Sequence, residues 1–186
     1  MLITISGLPG SGKTTVARLL SHHLGVPHVY AGDLFRREAE QRALTLAEFN
    51  RLAEQDHSID RGLDATMAEY ARRGDVILEG RLAGFISLQE KIDALKVWLT
   101  ASDEVRARRV AQRESRDWHE VVRLNGARQQ SDAKRYKEIY GFDLNDTSIY
   151  DVVLNSDDQN PEQLADRILA YVTTRFGRGK VPRVSR

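Results

Sequence analysis

Gly7-Leu-Pro-Gly-Ser-Gly-Lys-Thr14 ends a run of closely spaced glycines with a lysine and a hydroxyl. This spacing, G-x-x-x-x-G-K-[ST], suits the binding of a polyphosphate. Gly7, Gly10 and Gly12 permit backbone angles that residues with a Cβ avoid, so successive N–H groups can turn toward one anion. Leu8, Pro9 and Ser11 complete the cradle. Lys13 reaches the outer phosphates, and Thr14, followed by Thr15, offers its hydroxyl to Mg²⁺. A nucleotide is the ligand expected there, its phosphates lying against the start of a helix, where the dipole favours negative charge.

Further charged residues stand where such a site could use them. Asp75-Val-Ile-Leu-Glu79 reads as a strand ending in an acid, with Gly80-Arg81 directly after it. Ligands of open α/β sheets sit at the carboxyl ends of strands, so Glu79 and Arg81 are expected to face the glycine loop. Arg36 lies early in one helical stretch, and a second stretch carries Arg106, Arg108, Arg109, Arg113, Arg116, Arg123, Arg128 and Arg135. The planar guanidinium fork grips phosphate oxygens in pairs, so these arginines suit a phosphoryl group with charged neighbours.

The elements that must position these residues follow from the pattern. Met1-Leu-Ile-Thr-Ile-Ser6 is an apolar, β-branched strand, and Lys13 to Leu24 a helix with Val16, Leu19, Leu20 and Leu24 on one face. His22 and His23 in its last turn are neighbours that face different ways, which does not suit a metal pair. Gly25 and Pro27 stop the helix. Pro27 to Tyr30 reads as a short strand, and Asp33 as the cap of the helix that follows. Helices are predicted from Ala43 to Gln55, with Thr45 and Glu48 as a capping box, and from a Ser58 cap to Arg73. Leu95 to Leu99 is a strand, and Ser102 caps a helix reaching Glu114. Asp151 to Asn155 is the last strand, and Pro161 to Phe176 the last helix, capped by Asn160. Five strands alternating with helices predict a parallel sheet with helices on both faces, interrupted by two helical excursions.

Composition bounds the rest. The 186 residues suit one domain, and a net charge of +1 gives no general field toward nucleic acid. The chain has no cysteine, so disulfides, thiolate catalysis and Cys-ligated zinc are excluded. No apolar stretch is long enough to span a membrane, and the first residues read as a strand rather than a secretory leader. A cytoplasmic location is the corresponding expectation. Residues 177–186 read as a basic, flexible tail.

Three functional classes share a phosphate loop. A guanine-specific switch needs Asn/Thr-Lys-x-Asp after a strand, whereas Glu90-Lys-Ile-Asp93 starts with the wrong residue and precedes one. A regulator that only binds nucleotide has little use for two arginine-bearing excursions. A phosphotransferase must hold a second substrate beside the γ-phosphate and neutralise the transferring group, which these excursions suit.

At this level the chain resembles the nucleoside monophosphate kinases, and most closely the short cytidylate kinases of archaea. The residues that carry the resemblance are Ile5 to Thr14, Ala31-Gly-Asp-Leu-Phe-Arg36, Leu46 to Asn50, Leu78-Glu-Gly-Arg-Leu-Ala-Gly84, Lys134-Arg-Tyr-Lys-Glu-Ile-Tyr-Gly141 and Ser148-Ile-Tyr-Asp151. The resemblance implies a P-loop kinase domain over 1–176, with a core of 1–32, 74–111 and 144–176. It implies a monophosphate-binding excursion at 33–73 and a lid at 112–143. It also implies transfer from ATP to CMP or dCMP by a monomer, AMP or UMP being the alternative acceptors. Arg36 and Arg81 match positions that hold the acceptor. Arg109 and Arg113 match a pair that stacks on adenine and touches phosphate. Arg128 and Arg135, with Asp132 between them, match arginines that clamp the transferring group. Asp33 and Glu79 match acids around Mg²⁺. Lys13 departs from the threonine common in the archaeal enzymes, and Ala31 from the hydroxyl of the bacterial ones. Asn50, Asp56 and Asp60 are candidates to read the base.

Overall fold

The structure is a computed structural model that describes residues 1–177. Residues 178–186, most of the expected basic tail, lie outside the described residues. Strand β1 (Leu2–Ser6) leads through the glycine loop into α1 (Lys13–Leu24), and β2 (His28–Tyr30) follows. Three helices come next: α2 (Ala31–Gln41), α3 (Leu46–Gln55) and α4 (Ser58–Arg73). Then come β3 (Val76–Glu79), α5 (Ala83–Gln89), β4 (Leu95–Thr100), α6 (Asp103–Glu114) and α7 (Trp118–Tyr140). Strand β5 (Val152–Asn155) and α8 (Pro161–Phe176) close the described chain.

The sheet has the expected five strands, ordered β2-β3-β1-β4-β5, and all four pairings are parallel. Both faces of β1, β3 and β4 are covered, which explains why these strands read as nearly continuous apolar runs, whereas β5 at the edge alternates buried and exposed residues. Ile3 and Ile5 point to the face of α1 and α8, where they join Val16, Leu20, Leu99, Leu164 and Ile168. Leu2 on the opposite face packs with Met67, Leu78, Ile86, Trp98 and Tyr136. The register sets Ile5 beside Glu79, and Glu79 beside Tyr30, so three strands end together next to the loop.

The stretch 33–73 has a small core of its own. Phe35 and Ala39 from α2 meet Phe49 and Ala53 from α3 and Ile59 from α4, and Phe49 is fully buried. The pairing α6–α7 is thinner: its buried apolar contact consists of Ala107, Val110 and Val121.

Several local expectations need correction. Asp33 does not cap α2, because β2 runs directly into that helix with Tyr30 at the N-cap; Asp33 sits in the first turn instead. Helix α3 starts at Leu46 rather than Ala43, because Ala43 adopts a left-handed φ of 55° and Thr45 forms the expected capping box with Glu48. Ser58 is the first residue of α4 and not its cap. Helix α5 has no counterpart among the elements that the sequence pattern predicts. It is only seven residues long and largely buried, so it shows no amphipathic period.

Candidate active site

The loop between β1 and α1 takes its shape from glycines at two close approaches. A Cβ on Gly7 would lie 2.2 Å from the Leu99 carbonyl oxygen, and one on Gly10 would lie 2.4 Å from that of Arg106. Both have positive φ, as does Gly12 at the N-cap of α1.

Four consecutive carbonyls of this loop are held by side chains. Lys13 Nζ donates to the Leu8 oxygen at 2.7 Å, and Arg106 Nη1 to that of Pro9 at 3.2 Å. Arg109 Nη1 donates to Gly10 O at 3.4 Å, and Ser156 Oγ to Ser11 O at 3.0 Å. In a trans peptide the carbonyl and the next N–H point opposite ways. Drawing the Pro9 and Ser11 carbonyls toward α6 and β5 therefore turns the Gly10 and Gly12 N–H groups to the other side, as an anion cradle requires. Arg109 is fixed in turn by Ser156, with bonds of 2.9 Å to Oγ and 2.6 Å to the carbonyl.

At the floor of the site, the Thr14 hydroxyl donates to Glu79 Oε1 at 2.7 Å. The other oxygen of Glu79 meets His28 Nε2 at 2.9 Å, and Glu79 is completely buried. Lys13 is also buried, and burial pulls its pKa down to about 7, against the attraction of Glu79 and with help from Arg81, Arg128 and Arg106. Burial and the nearby Arg128 bring Arg81 down to about 10. The interior of the site is thus cationic and poorly hydrated, where a bound anion gains most.

A buried ion network closes the site on one side. Arg135 donates through Nε to Asp60 Oδ2 at 2.8 Å and through Nη2 to Asp132 Oδ1 at 2.9 Å. Arg81 pairs with the other oxygen of Asp132. The network ties β3's end to α4 and α7, and Asp132 and Arg135 are each almost wholly buried. Tyr140 donates to Asp64 at 2.5 Å, and burial pushes the Asp64 carboxyl up to about 7.

The expected residues are distributed unevenly. Lys13, Thr14, Glu79, Arg81, Arg109, Arg128, Asp132 and Arg135 converge around the loop or in the network beside it. Arg128 is half-buried, its buried Nε has no hydrogen-bond partner among the described residues, and desolvation lowers its pKa. Thr15 is exposed on the first turn of α1. Arg36 pairs with Asp33 and lies 5.1 Å over the Tyr30 ring, at the rim. Arg113 parts from Arg109: it is exposed and bonds Glu114 at 2.7 Å. Of the three base-reading candidates, Asp60 is inside the network, Asn50 is half-buried, and Asp56 is exposed and accepts the Ser58 N–H. Arg106, Ser156 and His28 had no assigned role in the sequence, since contacts across the whole chain define theirs.

A family model described as the cytidylate kinase-like family matches residues 2–158. The chain belongs to that family. Cytidylate kinase of Methanopyrus kandleri is 50% identical over 163 residues, covering 84% of this chain and 84% of that protein. Cytidylate kinase of Halobacterium salinarum is 48% identical over 173 residues, covering 92% of this chain and 89% of its own. Among solved structures, a gluconokinase from Sinorhizobium meliloti superimposes with a TM-score of 0.62 at 16% identity, over 95% of this chain and 93% of that one. The family and the glycine loop together place this fold among the P-loop kinases. No helix among the described residues is long and apolar enough to cross a membrane.

Proposed function

We propose that this protein transfers the γ-phosphate of ATP to CMP or dCMP, giving ADP and CDP or dCDP. The observation that carries the reading is the convergence of Lys13, Arg81, Arg128 and Arg135 beside one glycine loop. Such a cluster fits a transition state whose charge is spread over transferring oxygens. The base is assigned from the name shared by the archaeal relatives. In this reading the core is 1–32, 74–111 and 144–176, the acceptor is held by the excursion 33–73, and 112–143 is the lid. The enzyme works in the cytoplasm as a monomer.

The acceptor phosphate is already an anion at neutral pH, so the site needs no general base. Catalysis is positioning and charge stabilisation. The Gly10 and Gly12 N–H groups and Lys13 bind the ATP phosphates. Arg81 and Arg36 orient the acceptor, and Arg128 and Arg135 stabilise charge between the two substrates. When α7 closes over the loop, water is kept from the transferring group.

The Thr14 hydroxyl and the Glu79 carboxylate, 2.7 Å apart at the foot of the loop, offer the hard oxygen donors that Mg²⁺ prefers. Among the described residues no group of three or more His, Cys, Asp or Glu is placed to hold a metal. Thr14 and Glu79, with Asp33 that now pairs with Arg36, would hold such an ion together with the nucleotide phosphates. The ion neutralises phosphate charge when bound. The test is ADP release with CMP, dCMP, UMP, AMP and GMP offered in turn. Turnover dependent on CMP or dCMP supports the reading, and turnover with another monophosphate alone refutes it.

A further inference from the structure

Arg106 touches neither substrate in the reading above, yet its side chain is only 5% exposed while its ion-pair partner Asp103 is 96% exposed. A charge is rarely buried this way for stability alone, because desolvation offsets much of the attraction. Its fork reaches in three directions. Nη1 donates to the Pro9 carbonyl at 3.2 Å. Nη2 donates to Asp103 Oδ1 at 2.5 Å and to Gln129 Oε1 of α7 at 3.4 Å. The loop also touches its backbone, since a Cβ on Gly10 would lie 2.8 Å from the Arg106 Cα.

We infer that Arg106 is a positioning residue for phosphoryl transfer, joining the phosphate loop to α7 through the Pro9 carbonyl and Gln129. The inference rests on the kinase reading of the same site. The Pro9 carbonyl sets the direction of the Gly10 N–H, so a guanidinium that pulls on this carbonyl orients one donor of the cradle. The same guanidinium holds Gln129, which lies one residue from Arg128 on the closing helix. Movement of α7 and the shape of the cradle are therefore linked through one rigid planar group. A lysine cannot reproduce this, because its single ammonium lacks the fixed fork.

The test uses the full chain with Arg106→Met, Arg106→Lys, Gln129→Leu and the double variant Arg106→Met/Gln129→Leu. ADP affinity is measured by titration calorimetry, the KM for ATP and for CMP separately, and thermal stability alongside. Arg106→Met should weaken ADP binding about tenfold and lower kcat at least as much, with the KM for CMP within about twofold. Arg106→Lys should recover less than about half of the loss on a logarithmic scale. Gln129→Leu should leave ADP affinity within about twofold and lower kcat about three- to tenfold. The double variant should have the kcat of Arg106→Met alone, because the link is already cut. Arg106→Lys carries the test should Arg106→Met not fold. Folded Arg106 variants that match wild type in ADP affinity and kcat would overturn the inference, as would full recovery with lysine or multiplicative losses in the double variant. Wild-type protein that binds ADP but phosphorylates no CMP would count against the acceptor reading, while the ADP titrations would still test Arg106.

Discussion

Replacing Asp132 by Asn probes the ion network most sharply. Asp132 is 1% exposed and faces two guanidiniums, Arg135 Nη2 at 2.9 Å and Arg81. The amide is nearly isosteric, so the change removes charge and little volume. Taking one partner from a buried ion pair typically costs about 3–5 kcal/mol, because the remaining charge is left without compensation. Asp60 still faces Arg135 at 2.8 Å, so the lower half of that range, ~3 kcal/mol, is expected. At ~2–4 °C per kcal/mol for a chain of this size, the melting temperature should fall by about 6–12 °C. In the proposed reading the released cations are also those that meet phosphate, so ATP with CMP should stabilise the variant by more than it stabilises wild type. Saturating ligand supplies ~2.7 kcal/mol at a hundred times its Kd. Glu104→Gln, in a pair with Arg108 that is exposed at both ends, is the control and should shift stability by no more than about 0.5 kcal/mol. Thermal unfolding with and without nucleotides reads all of this. A melting temperature within about 2 °C of wild type, or an equal ligand shift in both proteins, would refute the reasoning.

Lys13→Met should lower turnover by several orders of magnitude while raising stability, a trade expected where a charge is buried for function. The folded pKa of about 7 lies below the unfolded value of 10.5, so the destabilisation is full below pH 7 and fades as pH rises to 10.5. The gain in stability of the variant should therefore be larger at pH 6 than at pH 9; a gain that is constant or grows with pH would contradict it. Arg81→Ala should raise the KM for CMP far more than that for ATP, and equal effects would place Arg81 elsewhere. Phe49→Ala should cost ~3–5 kcal/mol, since it empties the centre of the separate core formed by α2, α3 and α4. Hydrogen exchange should then accelerate in 33–73 first, and uniform acceleration would show that this stretch does not unfold as a unit.

The order of strands and helices was readable because the signals involved are local. Thr45 with Glu48, and Asn160 before Pro161, mark helix starts within a few residues, and both form capping boxes. The glycine spacing likewise places Lys13 and Thr14 by itself, and the strand end places Glu79. What resisted reading depends on long-range contact. Ser156 holds Ser11 across 145 positions, and Arg106 holds Pro9 across 97. In the sequence Arg106 is one arginine among many on a charged helix, with nothing to distinguish it from the exposed Arg108 or Arg113. The spacing of Arg109 and Arg113 is right for one helix face, yet only Arg109 reaches the loop, because α6 leaves the core before its last turn. Asp33 has the residue type of a cap, but β2 passes into α2 at Tyr30 without a turn, so it falls in the first turn of the helix.

The central claim is that the phosphoryl group leaves ATP for a cytidine monophosphate. ATP labelled in its γ-phosphate, incubated with this protein and CMP, tests that directly when the products are separated and the label located. The account predicts label in the β-phosphate of CDP in amounts equal to the ADP formed. Label released as inorganic phosphate, or no label on CMP while AMP or UMP offered in its place is phosphorylated, would contradict it.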